Sequence, residues 1–282
     1  MSGFFALRAR ACLVASVLGG LALGGSAVLG AAGQATAPSL DLSGYRVSFD
    51  DEFKTFDISA QGPDGVWKAH TPWHGDFGDA AFGDPGPGGP FSLTAQGLAI
   101  TATRQPDGKW VSGLICSVDK DGAGQHGFSQ QYGYFEMEAM LPSGPGTWPA
   151  FWLIGTDKTS SAAEIDVIEY YGSFTKYFHT TEHVWVNGSN KLLRTRMVEV
   201  PAGSLSSGYN KFGVLITPQM TSFYLNRHEY WRTPTPPEYR QPMYILANLA
   251  LGGGWPIAGL TSPQVMRIGY IRVYQKLSAP KD

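Results

Sequence analysis

The sequence predicts an all-β fold, a jelly-roll sandwich of two sheets. From about residue 40 onward, short runs rich in Val, Ile, Tyr, Phe and Trp are separated by turns of Gly, Pro, Asn and Asp. No segment shows a helical period bounded by proper capping residues. Many short strands, long loops and no alternating helices are typical of such a sandwich. The predicted strands are 45–53, 98–103, 110–117, 132–141, 150–155, 164–170, 178–186, 211–217, 221–225, 243–251 and 266–275.

The amino terminus has the pattern of an export signal. Arg8 and Arg10 precede an apolar run over residues 11–29, and small residues follow it. This order predicts a signal peptide over residues 1–35, removed on export. The alternative is an uncleaved membrane anchor, because the run is long enough to span a bilayer. Either form places the rest of the chain outside the cytoplasm, secreted or periplasmic.

Residues 36–282 are predicted to form a single domain, which we expect to be a monomer. The Gly/Pro-rich stretch 83–90 is interpreted as a long surface loop, with an interdomain linker as the alternative. The formal net charge is -2 and no basic cluster follows the leader, so nucleic acid is not expected as a partner. Of the two cysteines, Cys12 lies in the leader. Cys116 lies in an apolar stretch and is predicted to be a buried small hydrophobe.

Three acids stand within residues 163–172, AEIDVIEYYG, in a segment that otherwise predicts a buried strand. Glu164 and Asp166 are two residues apart and share one face of a strand, whereas Glu169 would face the other way. A β-bulge between Asp166 and Glu169 would add one residue and bring all three carboxylates to one face. The spacing therefore predicts a bulge. The alternative is that some of the acids face solvent from an exposed sheet.

A bulge would give these carboxylates a chemical use. Glu164 and Glu169 would lie roughly 13 Å apart along the backbone. Their side chains, leaning together, could approach the carboxyl separation of about 5–5.5 Å found in retaining glycosidases. Carboxylates this close cannot all ionise freely, so at least one pKa should be raised. One ionised and one protonated glutamate are the requirement of a nucleophile and an acid/base partner.

Aromatic residues near the acids suit a sugar-binding cleft, because the C–H faces of sugars stack on aromatic rings. Trp148 and Trp152 come shortly before the acids, and Trp185 and Trp255 follow them. We expect only some of these four side chains to face a ligand, since aromatic residues on strands are more often core.

The motif Glu-x-Asp-x-x-Glu at 164–169 resembles the active-site signature of glycoside hydrolase family 16, in its bulged, laminarinase-like branch. Other segments resemble the family in the same order along the chain, so the resemblance covers nearly all of residues 36–282. These segments are FDDEF (49–53), YGYFE (132–136), LP (141–142), GTWPAFWL (146–153), HTTEHVW (179–185), YILANLALGGGWP (244–256) and YIRVY (270–274).

The resemblance implies a concanavalin-like jelly roll of two curved antiparallel sheets with a glycan cleft across the concave face. It also implies retaining, endo-acting cleavage of internal β-linkages in a polysaccharide by double displacement. By motif position, Glu164 is the nucleophile, Asp166 its assistant and Glu169 the general acid/base. His183 matches the histidine near the acid/base, ahead of His179. The tryptophans Trp148, Trp152, Trp185 and Trp255 match cleft-lining positions.

Two departures from the family pattern matter. Gly269 stands where members often carry an Asp that ligates a structural calcium, and residues 119–122, DKDG, hint at a calcium loop but lack the later glutamate of an EF-hand. No cofactor or metal is therefore predicted, with a structural calcium as the alternative. Residues 159–163 replace the Trp-Pro-x-x-Gly of many β-1,3-glucanases, which weakens a laminarinase assignment and favours the branch that acts on bacterial exopolysaccharides. A laminarinase, a non-catalytic glycan-binding protein and a transglycosylase remain the alternatives.

Overall fold

The computed structural model describes residues 39–277. The predicted leader over 1–35, with Cys12, lies outside the described residues. Within 39–277 no helix has the length and apolar character needed to cross a membrane.

Nineteen strands, one helical turn and one 3₁₀ turn make up the described chain. In chain order they are β1 (Tyr45–Asp51), β2 (Ile58–Ser59), β3 (Trp67–Lys68), β4 (Ala80–Phe82), β5 (Phe91–Thr94), β6 (Gly97–Arg104), β7 (Trp110–Ser112), β8 (Leu114–Cys116), β9 (Ser129–Gln130), β10 (Gly133–Met140), β11 (Thr147–Gly155), β12 (Ala162–Glu169), β13 (Tyr177–Val186), β14 (Ser189–Glu199), α1 (Ser204–Ser207), β15 (Asn210–Ile216), β16 (Met220–Leu225), β17 (His228–Pro234), the 3₁₀ turn (Pro237–Tyr239), β18 (Met243–Leu251) and β19 (Gln264–Lys276).

The strands form two sheets. The first has ten strands in the order β17-β16-β15-β10-β19-β6-β7-β4, with β1 paired to β19 and β5 to β6. The second has nine strands in the order β14-β13-β12-β11-β18-β8-β3-β2, with β9 paired to β18. The predicted jelly-roll sandwich is confirmed. The sheets are antiparallel except for two short parallel pairs, β2 with β3 and β4 with β7, where wholly antiparallel sheets were expected.

The main hydrophobic core lies between the two sheets. Phe135 on β10 and Val273 on β19 meet Phe151 on β11 and Ile165 on β12 in this core. Alternate residues of β11 leave it: Trp152 belongs to a second cluster on the other face of the nine-stranded sheet. We call that other face the outer face. It carries the acids described below.

The predicted strands all occur in the structure, with one division. The predicted strand 110–117 splits at Gly113 into β7 and β8, which belong to different sheets. A Cβ at Gly113 would meet the ring of Phe91 at 2.8 Å, so only glycine lets the chain cross between the sheets here. Cys116 on β8 is fully buried, as predicted, and burial raises the pKa of its thiol to about 12.

Two longer strands were missed, β14 and β17, together with the short β2, β3, β4, β5 and β9. Both β14 and β17 are outermost strands of their sheets. Side chains on an edge strand are partly solvated, so β14 carries lysine and arginine in place of the apolar alternation that marks a central strand. The stretch 83–90 connects β4 to β5, two strands of one sheet.

Candidate active site

The predicted bulge is present in β12. Asp166 pairs with Thr181 of β13, and Glu169 pairs with His179, so three steps on β12 oppose two on β13. The register against β11 shifts at the same point. Val167 and Ile168 are consecutive, yet both are buried in the core between the sheets. The alternation of side chains between the two faces of β12 therefore shifts by one residue at this point. Glu164, Asp166 and Glu169 consequently share the outer face, and we call them the acid trio.

The two glutamates are held by neutral hydrogen-bond donors. The indole N–H of Trp185 donates to Glu164 Oε2 at 2.8 Å. Glu169 Oε1 accepts from the indole N–H of Trp148 at 3.1 Å and from the hydroxyl of Tyr171 at 3.2 Å. These donors orient the carboxyl groups and bring no positive charge to them. Both glutamates keep part of their surface open to solvent, where a ligand can reach them.

Asp166 has a cationic partner. Its Oδ2 lies 3.2 Å from His183 Nε2, and His183 Nδ1 lies 3.0 Å from Asn190 Oδ1. Burial alone would lower the pKa of His183, but its hydrogen bond to Asp166 and the charge of Asp166 prevail and raise the pKa to about 9. An imidazolium donates from both ring nitrogens, which matches an acceptor on each side. His183 is therefore a cation at neutral pH.

The glutamates have raised pKa values. Burial, followed by the negative charge of Asp166, raises the pKa of Glu164 to about 7 and that of Glu169 to about 8. The positive charge of His183 opposes both shifts, and the Trp185 and Trp148 hydrogen bonds each stabilise one ionised carboxylate. The two groups interact, so their titration belongs to the pair. The pair therefore keeps a proton more readily than two exposed carboxyl groups would, and a retained proton is what the acid of an acid and nucleophile pair needs.

The four predicted tryptophans have different environments. Trp148 and Trp185 contact the acids directly, and Trp185 also stacks on His183 with ring centroids 4.9 Å apart. Trp152 lies on the outer face but is only 7% exposed, because Trp73 and Phe77 cover it. The prediction that Trp152 lines an open cleft is therefore not supported by its burial.

Trp255 and His179 lie at one side of the acid trio. Trp255 is 42% exposed and its ring centroid is 6.4 Å from that of Tyr171, which itself donates to Glu169. The imidazole of His179 lies 5.7 Å from the Tyr171 ring, and burial lowers its pKa, so it is neutral. His179 lies opposite Glu169 on the neighbouring strand, whereas His183 has a ring nitrogen within 3.2 Å of a carboxylate oxygen of the trio.

Several residues of the site were not singled out from the sequence. Asn248 Oδ1 accepts from the indole N–H of Trp152 at 2.9 Å, and Asn190 supports His183. Asn248 could have been noticed in the sequence, because it is the one amide side chain in the otherwise apolar strand β18. No feature of the sequence indicated the roles of Trp73 and Phe77, because their contacts join segments far apart in sequence.

The carboxylates considered for calcium are tied to cations and donors of the chain itself. Asp121 Oδ1 accepts from Lys158 Nζ at 2.7 Å and from the Tyr244 hydroxyl at 2.6 Å. Near Gly269, which offers no side-chain ligand, Glu52 is paired with Lys54 and Arg272. These residues do not fit a calcium site.

One cluster among the described residues has the composition of a metal site. Glu164, Asp166 and His183 place one ligand atom each within 4.8 Å of one another. His183 Nε2 lies 3.2 Å from Asp166 Oδ2 and Nδ1 lies 3.0 Å from Asn190 Oδ1, so each ring nitrogen is within hydrogen-bond distance of an oxygen of the chain. The cluster is better explained as a hydrogen-bonded set of acids and a cation.

Similar proteins are known. The model of the family described as glycosyl hydrolases family 16 matches residues 94–270. The endo-1,3-1,4-beta-glycanase EglC of Rhizobium meliloti (strain 1021) is 32% identical over 259 residues, covering 84% of this chain and 53% of that protein. The chain thus spans about half the length of this curated relative and of a second one from the same organism.

Solved structures share the fold at low sequence identity. The laminarinase catalytic domain from Thermotoga maritima MSB8 has a TM-score of 0.67 at 20% identity, covering 83% of this chain and 99% of that one. The endo-beta-1,3-glucanase from Pyrococcus furiosus has a TM-score of 0.67 at 22% identity, covering 86% and 99%. These likenesses support the jelly-roll fold. With the family model covering more than half of the sequence, the chain belongs to glycosyl hydrolases family 16.

Proposed function

We propose that this chain is an endo-acting retaining glycoside hydrolase that cleaves internal β-linkages of a polysaccharide. The observation that carries the proposal is the bulge in β12, which puts Glu164, Asp166 and Glu169 on one face. Two glutamates with raised pKa values, each oriented by a neutral indole donor, suit acid/base and nucleophilic chemistry at a glycosidic bond.

In the first step, a carboxylate oxygen of Glu164 attacks the anomeric carbon. The protonated carboxyl of Glu169 gives its proton to the departing glycosidic oxygen, so the bond breaks without releasing an alkoxide. The product of this step is a glycosyl ester on Glu164 and a free sugar hydroxyl. In the second step, Glu169 takes a proton from water as the water attacks, and Glu164 leaves with its original charge. A sugar hydroxyl in place of that water gives transglycosylation.

Asp166 and His183 are assigned a positioning role. The charge of Asp166 favours the protonated form of both glutamates, while the His183 cation favours the ionised form of both. We assign to this ion pair the setting of the pH range over which the two glutamates share a proton. Trp148, Trp185 and Trp255 are proposed to contact sugar rings next to the acids.

A non-catalytic glycan-binding protein is the competing function. Burying carboxyl groups without a cation costs free energy, and a binding protein has no use for two glutamates with raised pKa values. The site therefore favours an enzyme.

The substrate proposal follows the relatives. The Rhizobium meliloti relative is named an endo-1,3-1,4-beta-glycanase, and structural neighbours are named laminarinase and endo-beta-1,3-glucanase. We propose a β-glucan or a β-linked bacterial exopolysaccharide as the partner. Export through the leader at 1–35, a single catalytic domain over 36–282 and action as a monomer remain part of the proposal.

The test has two parts. Purified protein is incubated with laminarin, barley mixed-linkage glucan, agarose, carrageenan and an acidic bacterial exopolysaccharide, and reducing ends are measured. We expect release from at least one β-glucan, with the β-anomer appearing first in proton NMR. Glu169→Ala is expected to lose activity and to be partly rescued by azide with an activated aryl glycoside. Binding to a glucan without release from any polysaccharide, or first appearance of the α-anomer, would contradict the proposal.

A further inference from the structure

The bulge in β12 also has an inner side, which faces the core between the two sheets. On this side, Thr180 of β13 stands alone opposite the two consecutive residues Val167 and Ile168, and all three are buried. A bulge interrupts the ladder of backbone hydrogen bonds between two strands. A buried carbonyl group at such a point therefore needs a donor from elsewhere.

Thr180 supplies this donor from its side chain. Its Oγ1 donates to Val167 O at 2.7 Å. A threonine hydroxyl has a single proton, so an oxygen that donates to Val167 can only accept from its other neighbour. That neighbour is the hydroxyl of Tyr230, 2.6 Å away. Burial raises the pKa of Tyr230, so this hydroxyl keeps the proton that it donates. The hydrogen bonds from Tyr230 to Thr180 and from Thr180 to Val167 form a chain, which we call the brace.

Tyr230 belongs to the other sheet, where a second bulge directs its side chain inward. The register between β16 and β17 shifts between Phe223 and Tyr224, and Tyr230 is the extra residue on β17. Tyr230 and its neighbour Trp231 consequently both pack against the core between the sheets. The Tyr230 ring also lies edge-on to the ring of Phe178 on β13, with centroids 5.6 Å apart. A bulge in the ten-stranded sheet thus supports the bulge in the nine-stranded sheet.

The acids before and after the β12 bulge are held by different contacts. Glu164 precedes the bulge, and the hydroxyl of the fully buried Tyr239 donates to Glu164 O at 2.7 Å. Glu169 follows the bulge, and Val167, which accepts from the brace, lies two residues before it. A change in the bulge would therefore move Glu169 relative to Glu164.

The distance between these two carboxyl groups matters for the proposed chemistry. Glu169 has to reach the glycosidic oxygen while Glu164 reaches the anomeric carbon of the same bond. A misplacement of about 1 Å at a reacting group can lower a rate about a hundredfold. A hydrogen bond that fixes the bulge can therefore contribute to the rate without touching the substrate.

We propose that Thr180 and Tyr230 are positioning residues, which hold the β12 bulge from the core side and so place Glu169 for proton transfer. This inference rests on the proposed function and adds to it two residues that act through Glu169.

The test distinguishes proton transfer from folding by the choice of leaving group. A sugar leaves as an alkoxide unless Glu169 protonates it, whereas 2,4-dinitrophenolate leaves without a proton. The substrates are laminarihexaose and 2,4-dinitrophenyl β-laminaribioside, together with the corresponding pair from barley mixed-linkage glucan. For each substrate kcat/KM is measured, because it reports the step in which the leaving group departs.

Thr180→Val keeps the shape of the side chain and removes its hydroxyl. We expect kcat/KM for the hexasaccharide to fall about tenfold, and that for the dinitrophenyl glycoside to fall by less than about twofold. Thr180→Ser retains the hydroxyl and should stay within about threefold of wild type on the hexasaccharide. Tyr230→Phe should reproduce the selective loss at about threefold, and the double variant should be no worse than Thr180→Val, since Tyr230 acts through Thr180.

The matched control is Thr221→Val. Thr221 is also fully buried, and its Oγ1 lies 3.0 Å from Thr235 Oγ1, which donates to Thr217 O at 2.9 Å. This second hydroxyl chain starts on β16 of the ten-stranded sheet. Thr221→Val should lower the Tm as Thr180→Val does, and should change kcat/KM for both substrates by less than about twofold.

Several outcomes would overturn the proposal. Equal losses on both substrates in Thr180→Val would show a general effect on folding, and the same loss in Thr180→Ser would show that the hydroxyl is not the cause. If Thr180→Val does not fold, an unchanged ratio of the two substrates in Tyr230→Phe overturns the proposal. If wild type cleaves neither substrate, the proposed function fails and this inference fails with it. If wild type cleaves both and the variants keep the wild-type ratio, only the role of Thr180 and Tyr230 is wrong.

Discussion

Two buried clusters of carboxylates in this molecule behave in opposite ways. In the ten-stranded sheet, fully buried Glu136 receives two hydrogen bonds of 2.8 Å from Arg227 and further ones from Tyr134 and Tyr270. Burial would raise the pKa of Glu136, but Arg227 and the two hydroxyls prevail and lower it. In the acid trio, Glu164 and Glu169 have raised pKa values.

The difference lies in the donors. Glu136 has a guanidinium, which compensates the buried charge, whereas Glu164 and Glu169 have indole N–H groups, which are uncharged. An arginine beside Glu169 would keep it ionised and remove its proton. Burial by itself therefore does not mark a catalytic carboxyl; in these two clusters, the raised pKa values occur where the hydrogen-bond donors are uncharged.

The largest expected effect comes from neutralising one acid in each cluster. Glu164→Gln should lower kcat by at least about a thousandfold, because it removes the attacking oxygen. Glu136→Gln should keep the activity of the folded protein but lower the free energy of unfolding by about 3 kcal/mol, since Arg227 loses its partner. Reducing-end assays and chemical denaturation measure the two effects.

The pH dependence of stability sharpens this contrast. The lowered pKa of Glu136 stabilises the fold above its ordinary value of 4.5, so the deficit of Glu136→Gln should shrink as the pH falls below that value. The raised pKa of Glu164 has the opposite effect on stability, which is lost as the pH rises through about 7. Glu164→Gln should therefore be more stable than wild type at pH 8 and no more stable at pH 4. Equal activity losses in the two variants would contradict the comparison.

An intermediate effect is expected from Asp166→Asn. Wild type should show a bell-shaped pH profile of kcat/KM, with limbs near the pKa values of about 7 and about 8 for Glu164 and Glu169. Removing the negative charge of Asp166 lowers both pKa values, so both limbs should move to lower pH, with kcat reduced about a hundredfold. His183→Gln is the control with the opposite sign, since loss of the cation should move the limbs to higher pH.

The smallest effects come from the indole donors. Trp185→Phe removes the hydrogen bond that stabilises ionised Glu164, so the acidic limb should move to higher pH further than the basic limb does, with kcat lower by about fivefold. Trp148→Phe removes the equivalent bond at Glu169, so the basic limb should move to higher pH further than the acidic limb does. Each variant serves as the control for the other. The larger movement falling on the same limb in both variants would show that the indoles do not act on separate acids.

How much of the site could be predicted depended on sequence distance. The bulge could be predicted from the five-residue spacing of Glu164 and Glu169, because the alternation of side chains along a strand depends only on neighbouring positions. Trp148 and Trp185 were predicted near the acids and lie there, whereas Trp152 is covered by Trp73 and Phe77. Strand β14 was not predicted, since it is an edge strand without an apolar alternation.

The sequence by itself determined the all-β class, the shared face of Glu164, Asp166 and Glu169, and the family, because strand period and motif spacing are local properties of the chain. Only the tertiary structure decided which carboxyl groups have a cation. Glu136 and Arg227 are 91 positions apart in the sequence, and Asp166 contacts His183 because of the register in which β12 pairs with β13. It also decided that Trp73 and Phe77 cover Trp152. Such contacts depend on how strands pair, and a pKa depends on every charge and every solvent boundary that the pairing brings near.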